Sequence, residues 1–511
     1  MRRSLVGSVG VLGGGTAGYF AALALRARFP ELAVTVVESS KIPIIGVGEA
    51  TTPPLVTFLH SYLGIDVHEM YREVVPTWKL GIHFEWGPPG GFDYPFSWGD
   101  LADAEAHDGS IQRASIGALL MQGKRGPIAR KDDDGVVSLF PAVRFAYHLD
   151  NRRFVRFLKK CADRAGVRYR DAEITDVATR PGPRGEAEIA HLKTVDGEEL
   201  AFDFYVDCTG FRSLLVGKTF GSAFTSYAST LYCDRAVVAD VPHDGTIKPY
   251  TLAETMDHGW CWNIPMRDVD HRGYVYSSAF CSEEQAVAEM RAKNPGMGPH
   301  WSVKFRSGRH AHFTRGNMAA IGNAYGFVEP LESTALHMVI IEVTRLVKLL
   351  DADPTSPEDH DRDVLDRRIG AHWDYLRYFL GLHYRFNRRL DTPFWRACRS
   401  DVDISGLTEV VEDFRANGPL SARNVKTAPD AIFGAGGLDI MLLGQQVRGA
   451  RAAPRVDAAA WQARCAEREA IVARSLPHAD ALRASEENPP FMDSLLRDPD
   501  GWSQALLREM L

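Results

Sequence analysis

The stretch Val9–Glu49 constrains the fold more than any other. A short apolar run, Val9–Leu12, leads into Gly13-Gly14-Gly15-Thr16-Ala17-Gly18 and then a mostly apolar segment, Tyr19–Phe29, closed by Pro30. Gly13, Gly15 and Gly18 fit G-x-G-x-x-G: the first makes a tight turn, the second admits a pyrophosphate against the backbone, and the third lets helix and strand pack closely. A helix starting there points unpaired N–H groups, Thr16 and Ala17 among the first, at an anion. A second β-like run, Ala33–Val37, ends in Glu38, about twenty residues after Gly18, where a ribose hydroxyl is read in such folds. Strand, helix and acid in register predict a dinucleotide site in a Rossmann-like α/β domain.

The 511 residues are several domains' worth, and 45% hydrophobic with 24% charged residues suits a soluble globular protein. A net charge of −7 gives no reason to expect nucleic acid or an anionic membrane as partner, and no uncharged run is long enough to span a bilayer. Seven scattered cysteines without a C-x-x-C suit reduced thiols in a cytoplasm and argue against a zinc site or disulfide framework, so no metal is expected. Met1-Arg2-Arg3 before apolar residues has the look of a signal peptide, but cleavage would remove the glycine loop, and that reading is rejected.

After Glu38, the two glycines of Ile44-Ile45-Gly46-Val47-Gly48-Glu49-Ala50-Thr51 permit a backbone that passes close to a flat ligand. Thr51-Thr52 before Pro53-Pro54 opens a helix over Leu55–Leu63. Trp78–Gly87 alternates as one strand, with Leu80, Ile82, Phe84 and Trp86 on one face and Lys79, Gly81, His83 and Glu85 on the other. A lysine at a strand end is ordinarily a solvated charge.

The glycine loop, Ile45–Thr51, Leu63-Gly64-Ile65 and Lys79 together resemble the flavin-dependent tryptophan halogenase family. The resemblance implies FAD, used as FADH2, and a catalytic role for Lys79. Gly87–Gly135, rich in Gly, Pro and Asp, reads as surface excursions without assigned chemistry. Phe145–Asp150 precedes an amphipathic helix, Arg152–Ala165, and His148 reads as a structural histidine. Val167–Glu198 reads as an antiparallel excursion. Strand Phe202–Val206 then runs into Asp207-Cys208-Thr209-Gly210, which resembles a second flavin-contacting segment; Cys208 reads as small and buried, not nucleophilic. No second G-x-G-x-x-G follows, so no dedicated nicotinamide domain is expected, and the resemblance implies that FADH2 arrives from a separate flavin reductase.

Residues 217–310 alternate like a sheet. Within them Trp260-Cys261-Trp262-Asn263-Ile264-Pro265 puts two indoles on one strand face. Such a pair is ordinarily core, but W-x-W-x-I-P with Trp260, Trp262 and Pro265 is a signature of the family, and implies a segment that keeps substrate away from the flavin. Further on, Leu336, Val339, Ile340, Val343, Leu346, Val347 and Leu350 follow at helical spacing, which places Ser333–Leu336 at a helix N-terminus with Ser333 as cap. Val328-Glu329-Pro330-Leu331-Glu332-Ser333-Thr334 matches the family's Pro-Leu-Glu-Ser-Thr-Gly through Thr334. That match implies Glu332 facing substrate as general base and halide held at Thr334 and Ala335, where Ala335 replaces the usual glycine. The same resemblance gives Gly48, Ala50, Asn323 and Leu336 as flavin contacts beside Gly13, Gly15, Thr16, Ala17, Gly18 and Glu38.

From Asp351 the chain reads as helices. Trp373–Phe386 and Asp391–Trp395 resemble the family, and beyond Arg396 the likeness thins, with Phe433-Gly434-Ala435-Gly436-Gly437 standing where lid and aromatic clusters of tryptophan-specific members are not evident. The expectation is a Rossmann-like (GR2-type flavoprotein) α/β fold: an FAD part from 1–110, 140–215 and 305–350, a β-rich substrate layer over 216–304, and a mainly helical part over 351–511. The reaction implied is chlorination or bromination of an electron-rich aromatic, indole first, by hypohalous acid captured at Lys79 as a haloamine or held there by hydrogen bond. The alternatives are a flavin-dependent aromatic monooxygenase, a halogenase of a peptide- or carrier-borne substrate, and a flavoprotein that only binds a partner. The expected partners are a diffusing flavin reductase, an aromatic substrate and halide, with homodimerisation left open.

Overall fold

The computed structural model describes residues 3–42, 48–131, 135–183, 185–243, 245–353, 356–428, 431–451, 453–488 and 492–493. Gly46 and the rest of 43–47 lie outside these residues.

Three sheets position the site. The first has six strands in the order Arg168–Asp171, Ala33–Glu38, Ser8–Leu12, Phe204–Asp207, Met318–Ala320, Thr314–Arg315, with the first five parallel. Helix Thr16–Arg28 leaves the end of Ser8–Leu12, and its apolar residues are buried almost without break because it packs against both Asn151–Arg164 and Ala335–Leu350. The carboxyl ends of Ser8–Leu12, Ala33–Glu38, Phe204–Asp207 and Met318–Ala320 meet along one edge, where ligands bind in open parallel sheets. Arg168–Asp171 belongs to this sheet, pairing in parallel with Thr35–Glu38, so the antiparallel excursion begins only at Ile174.

The second sheet has seven strands: His300–Lys304, Arg235–Pro242, Val269–Tyr276, Gly259–Pro265, Thr251–Met256, Gly81–Glu85, Phe92–Pro95. The third has three, Gly48–Ala50, Ala146–Asp150 and Thr77–Lys79. The expected single strand Trp78–Gly87 is therefore two strands in different sheets. Leu80 is the joint: its amide donates to Pro249 O (2.7 Å) and its carbonyl accepts from Phe96 N (2.8 Å). Alternating apolar residues continue through the joint because both strands are buried, so periodicity alone could not locate the break.

Gly87–Gly135 also carries more regular structure than its composition suggests, with strand Phe92–Pro95, helices Leu101–Asp108 and Ile116–Gln122 and strand Arg125–Arg130, and about half of its described residues are buried. The helix expected over Leu55–Leu63 starts at Pro54 and widens into a π turn over Phe58–Tyr62. Among the described residues C-terminal to Asp351 the chain is mainly helical, but Ser475–Pro477 pairs with Arg125–Arg130. Helix Gly434–Gly444 carries the glycines of the 433–437 run. A Cβ at Gly436 would sit 2.2 Å from the Trp98 ring and one at Gly437 2.4 Å from Tyr94 Oη, so these glycines let the helix lie directly on two aromatics. Among the described residues no helix is long and apolar enough to cross a membrane, and no group of three or more His, Cys, Asp or Glu side chains could hold a metal ion.

Candidate active site

The glycine loop has the shape its spacing implies. Gly13 has φ +114°, and a Cβ there would lie 2.2 Å from Cys208 O; a Cβ on Gly18 would lie 1.9 Å from Gly13 O. Gly15 is different. A Cβ on it meets no protein atom within 4 Å, so it faces open space at the helix N-terminus. Glu38 sits across the loop, its carboxylate accepting from Tyr19 Oη (3.1 Å), and a Cβ at Gly14 would collide with it. The Thr16 hydroxyl donates to Asn151 Oδ1 (3.2 Å), which leaves the backbone N–H as its contribution to a phosphate. Gly322, at φ +64°, brings its turn against Ala17, and the buried Glu342 fastens that turn by accepting from Gly322 N (2.6 Å) and Trp373 Nε1 (2.9 Å). Burial pushes the Glu342 carboxyl up to about 8. Gly48 pairs with Asp150 and Ala50 with His148, Asn323 lies in the Gly322–Ala324 turn, and Leu336 is buried in the first turn of Ala335–Leu350. Thus the open space at Gly15, the helix N-terminus and the acid at Glu38 fit a dinucleotide-type flavin. Cys208 is half-buried rather than buried as expected, and loss of hydration still holds its thiol well above the ordinary range, which argues against a nucleophile.

Lys79 ends its short strand fully buried, its Nζ donating to Ser333 Oγ (2.6 Å) and lying 5.3 Å from the centre of the Phe96 ring. Burial pushes the amine down to about 7, against the opposing pull of Glu332. Ser333 does not cap the helix. It adopts the left-handed conformation (φ 58°), its hydroxyl is taken by Lys79, and Thr334 occupies the cap position with no side-chain cap bond. Thr334, Ala335 and Leu336 therefore present their amides at a helix end flanked by a lysine and a carboxylate. Ala335 lies inside the helix and is not among the residues with positive φ, so nothing in its backbone calls for glycine.

Glu332 is buried, and its Oε1 lies 2.6 Å from Nε2 of His383, itself fully buried. Three residues earlier Glu329 accepts from Trp260 Nε1 (2.7 Å) and from Tyr384 Oη, and burial pushes its carboxyl up to about 7. Trp260 and Trp262 are both buried with ring centres 6.0 Å apart, and Trp262 crosses onto Gly273 of the neighbouring strand. Pro265 O accepts from Thr77 Oγ1 (2.9 Å), which ties the tryptophan strand to the lysine strand two residues before Lys79. Because Thr77 gives its proton to that carbonyl, His148 Nδ1 (3.1 Å) must donate to Thr77 Oγ1, and Nε2 accepts from Thr251 Oγ1 (2.9 Å). Burial keeps His148 neutral, as a structural histidine should be.

The structure thus brings Lys79, Glu332, Ser333 and Thr334 together, and gathers Gly13, Gly15, Gly18, Glu38 and Ala17 along the sheet edge. It separates Lys79 from Gly81, His83 and Glu85, which belong to another sheet. Sequence reasoning missed Phe96, Glu329, Tyr384 and His383. Glu329 lay inside the Val328–Thr334 motif and His383 and Tyr384 on the aromatic-bearing Trp373–Phe386 segment, but nothing local marked their roles, and Phe96 carried no signal. A cavity of about 330 Å³ opens elsewhere, against Phe211, Arg306, His310 and Asn323, and is lined by neither Lys79 nor Glu332.

Residues 8–461 match the tryptophan halogenase family model, well past the point near residue 400 where the motif-level likeness thins. The chain is 32% identical over 452 residues to the tryptophan 7-halogenase RebH of Lentzea aerocolonigenes, covering 81% of this chain and 82% of that protein. Among solved structures it resembles MibH, a lanthipeptide tryptophan 5-halogenase, with 45% identity, a TM-score of 0.92, and 99% and 98% of the two chains covered. It also resembles Xcc4156, a flavin-dependent halogenase from Xanthomonas campestris, with 29% identity, a TM-score of 0.83, and 94% and 98% covered.

Proposed function

We propose, from the premise that this chain belongs to the tryptophan halogenase family, that it halogenates the indole of a tryptophan residue carried on a peptide. As a family member it is a flavin-dependent halogenase, an enzyme that acts on an aromatic substrate with halide and depends on reduced flavin from a reductase. The peptide reading is supported by the likeness to MibH, which runs over the whole chain at 45% identity, against 32% over 81% for the tryptophan 7-halogenase. We take the flavin to be FAD, held by Gly13, Gly15, Thr16, Ala17, Gly18 and Glu38 with Gly48, Ala50, Asn323 and Leu336 alongside. Seven free cysteines suit the reducing cytoplasm in which we place it.

Bound reduced flavin supplies, with oxygen, the oxidising power that turns halide into hypohalous acid. The chain's own residues do the rest. Halide rests at the amides of Thr334 and Ala335, where the helix dipole favours an anion. The Lys79 amine, neutral for much of the time near pH 7 because it is buried, forms an N–halogen bond with hypohalous acid and releases water. Ser333 orients the amine through the 2.6 Å hydrogen bond. The indole carbon takes the halogen as the N–halogen electron pair returns to the Lys79 nitrogen, the ring proton leaves to the Glu332 carboxylate as the C–H electron pair restores aromaticity, and that proton then passes to the nitrogen, which regenerates both the amine and the carboxylate. The Trp260–Pro265 strand, tied to both the glutamate loop and the lysine strand, holds this geometry apart from the flavin edge.

The observation that carries the reading is the convergence of a buried, partly neutral Lys79 and a buried Glu332 on Ser333. The test is single-turnover reaction of the wild type and Lys79→Ala with a tryptophan-containing peptide and with free tryptophan, following flavin oxidation by stopped flow and product by mass. Wild type should halogenate the peptide and not the free amino acid. Lys79→Ala should oxidise reduced flavin at a near-normal rate and give almost no halogenated product. Normal halogenation by Lys79→Ala removes the mechanism, and preference for free tryptophan removes the peptide.

A further inference from the structure

The base proposed for the reaction has a partner whose protonation the geometry dictates. His383 lies on helix Arg362–Phe386, and its Nδ1 stands 3.1 Å from the carbonyl oxygen of Phe379, one turn back on the same helix. A carbonyl only accepts, so Nδ1 carries a hydrogen. Nε2 then faces Glu332 Oε1 at 2.6 Å. Two lone pairs would repel at that distance, whereas a charge-assisted hydrogen bond is this short. One proton therefore lies between the ring and the carboxyl group, and the pair as a whole is neutral.

We propose that His383 is the positioning residue of the general base: it donates from Nε2 to Oε1, holds Glu332 as a carboxylate without water, and leaves Oε2 as the oxygen that receives the ring proton. This rests on the reading of Glu332 as base. In the proton-transfer step the C–H bond at the halogenated carbon breaks, its electron pair returns to the ring, and the proton bonds to Oε2. The Nε2–H stays where it is.

The surroundings favour this division of labour. His383 is packed by the rings of Phe84 (5.1 Å), Phe379 (5.4 Å) and Trp86 (5.9 Å), none of which brings charge. Lys79 from the strand side and the Tyr94 phenol from Phe92–Pro95 both feel the charge of Glu332. Tyr94 is held protonated by burial, and Lys79 loses its charge near pH 7. Once the lysine is in its nucleophilic form, the imidazolium is the cation left beside the carboxylate. A buried carboxylate with no such partner neutralises by taking up a proton, and a protonated Glu332 cannot serve as base.

The experiment compares wild type, His383→Leu and His383→Gln in single-turnover halogenation from pH 6 to 9.5. His383→Leu removes the donor and leaves a buried carboxylate without a partner, so the acid limb of the profile should move up by at least about one pH unit, with the rate at pH 7 falling about tenfold or more. In His383→Gln the side-chain amide can reach Oε1 and should restore most of the profile. A uniform loss at every pH, or no change, overturns the proposal. If His383→Leu does not fold, the infrared difference between wild type and Glu332→Gln at pH 7 decides: an ionised carboxylate band is expected, and a protonated carboxyl band overturns it. Full halogenation by Glu332→Gln would instead bring down the base reading itself. An inactive Glu332→Gln beside an unshifted His383→Leu would bring down the His383 proposal alone.

Discussion

Two helices that pack against each other bring their N-termini to the same edge of the parallel sheet, and they are finished in opposite ways. Thr16–Arg28 is preceded by three glycines, and at Gly15 the protein leaves open space. Ala335–Leu350 is preceded by Glu332, Ser333 and Thr334, all buried, with a lysine from another sheet hydrogen-bonded to the serine. Both ends offer unpaired amides and the positive end of a dipole. The first is bare backbone and suits a large anion that lies across it. The second is closed in by buried side chains and stands beside an amine and a carboxylate. On the proposed reading, the same helix-end chemistry becomes a place for binding in one case and for reaction in the other, according to what surrounds it.

This contrast can be broken at either end. The largest effect is expected from Glu332→Gln at the reactive end, which should slow halogenation by about 10²–10⁴-fold, the range for a positioned acid–base group, while leaving flavin affinity unchanged. Equal loss of flavin binding would mean the two ends are not separate. At the open end, Gly15→Val puts its side chain only into the ligand space, at a φ of −83° that any residue adopts. Flavin affinity should fall about 100-fold, some 2.7 kcal/mol, with the melting temperature preserved. Gly13→Ala serves as the contrast, since its clash with Cys208 O at φ +114° should cost the fold itself. Titration calorimetry and thermal melts separate the two outcomes.

A smaller effect comes from pH. With the Lys79 amine at about 7, the reactive neutral form is lost as pH falls, so single-turnover halogenation should drop about tenfold per unit below pH 7 and level off above it. Flavin oxidation at the other helix end should not follow this curve, and a parallel fall in both rates would refute the assignment to Lys79. The smallest effect is expected from Ala335→Gly. Its backbone is already helical, so the change should cost at most about 1 kcal/mol of stability and alter the KM for halide by less than about twofold. A large gain in halide affinity would show that the glycine usual in the family does something more than offer an amide.

The glycine loop was legible because its constraint is local. A turn at φ +114° and a contact at 1.9 Å demand glycine wherever they occur, and strand, helix and acid lie within about thirty residues of one another. The Glu332–Ala335 turn was legible as a helix start for the same reason, although the serine that looked like a cap proved to be a left-handed joint serving Lys79. Lys79 was not legible from its neighbours. Its alternation with apolar residues runs on through a change of sheet at Leu80, and only family resemblance singled it out. Gly87–Gly135 misled in the other direction: its glycines and prolines read as surface, yet the segment supplies Phe92–Pro95 and the ring of Phe96 facing the lysine.

By itself, then, the sequence determined a nucleotide-type cradle, the helices that follow it and the identity of the groups available for chemistry, since each depends on residues close together in the chain. Only the tertiary structure decided that Lys79 loses its water, that Ser333 joins it from 254 positions away, and that His383 meets Glu332 across 51. Those contacts join different sheets and helices, and their strength comes from burial. A lysine is an ordinary cation in water and a partly neutral amine in a closed interior, and which of these it is depends on what the fold packs around it.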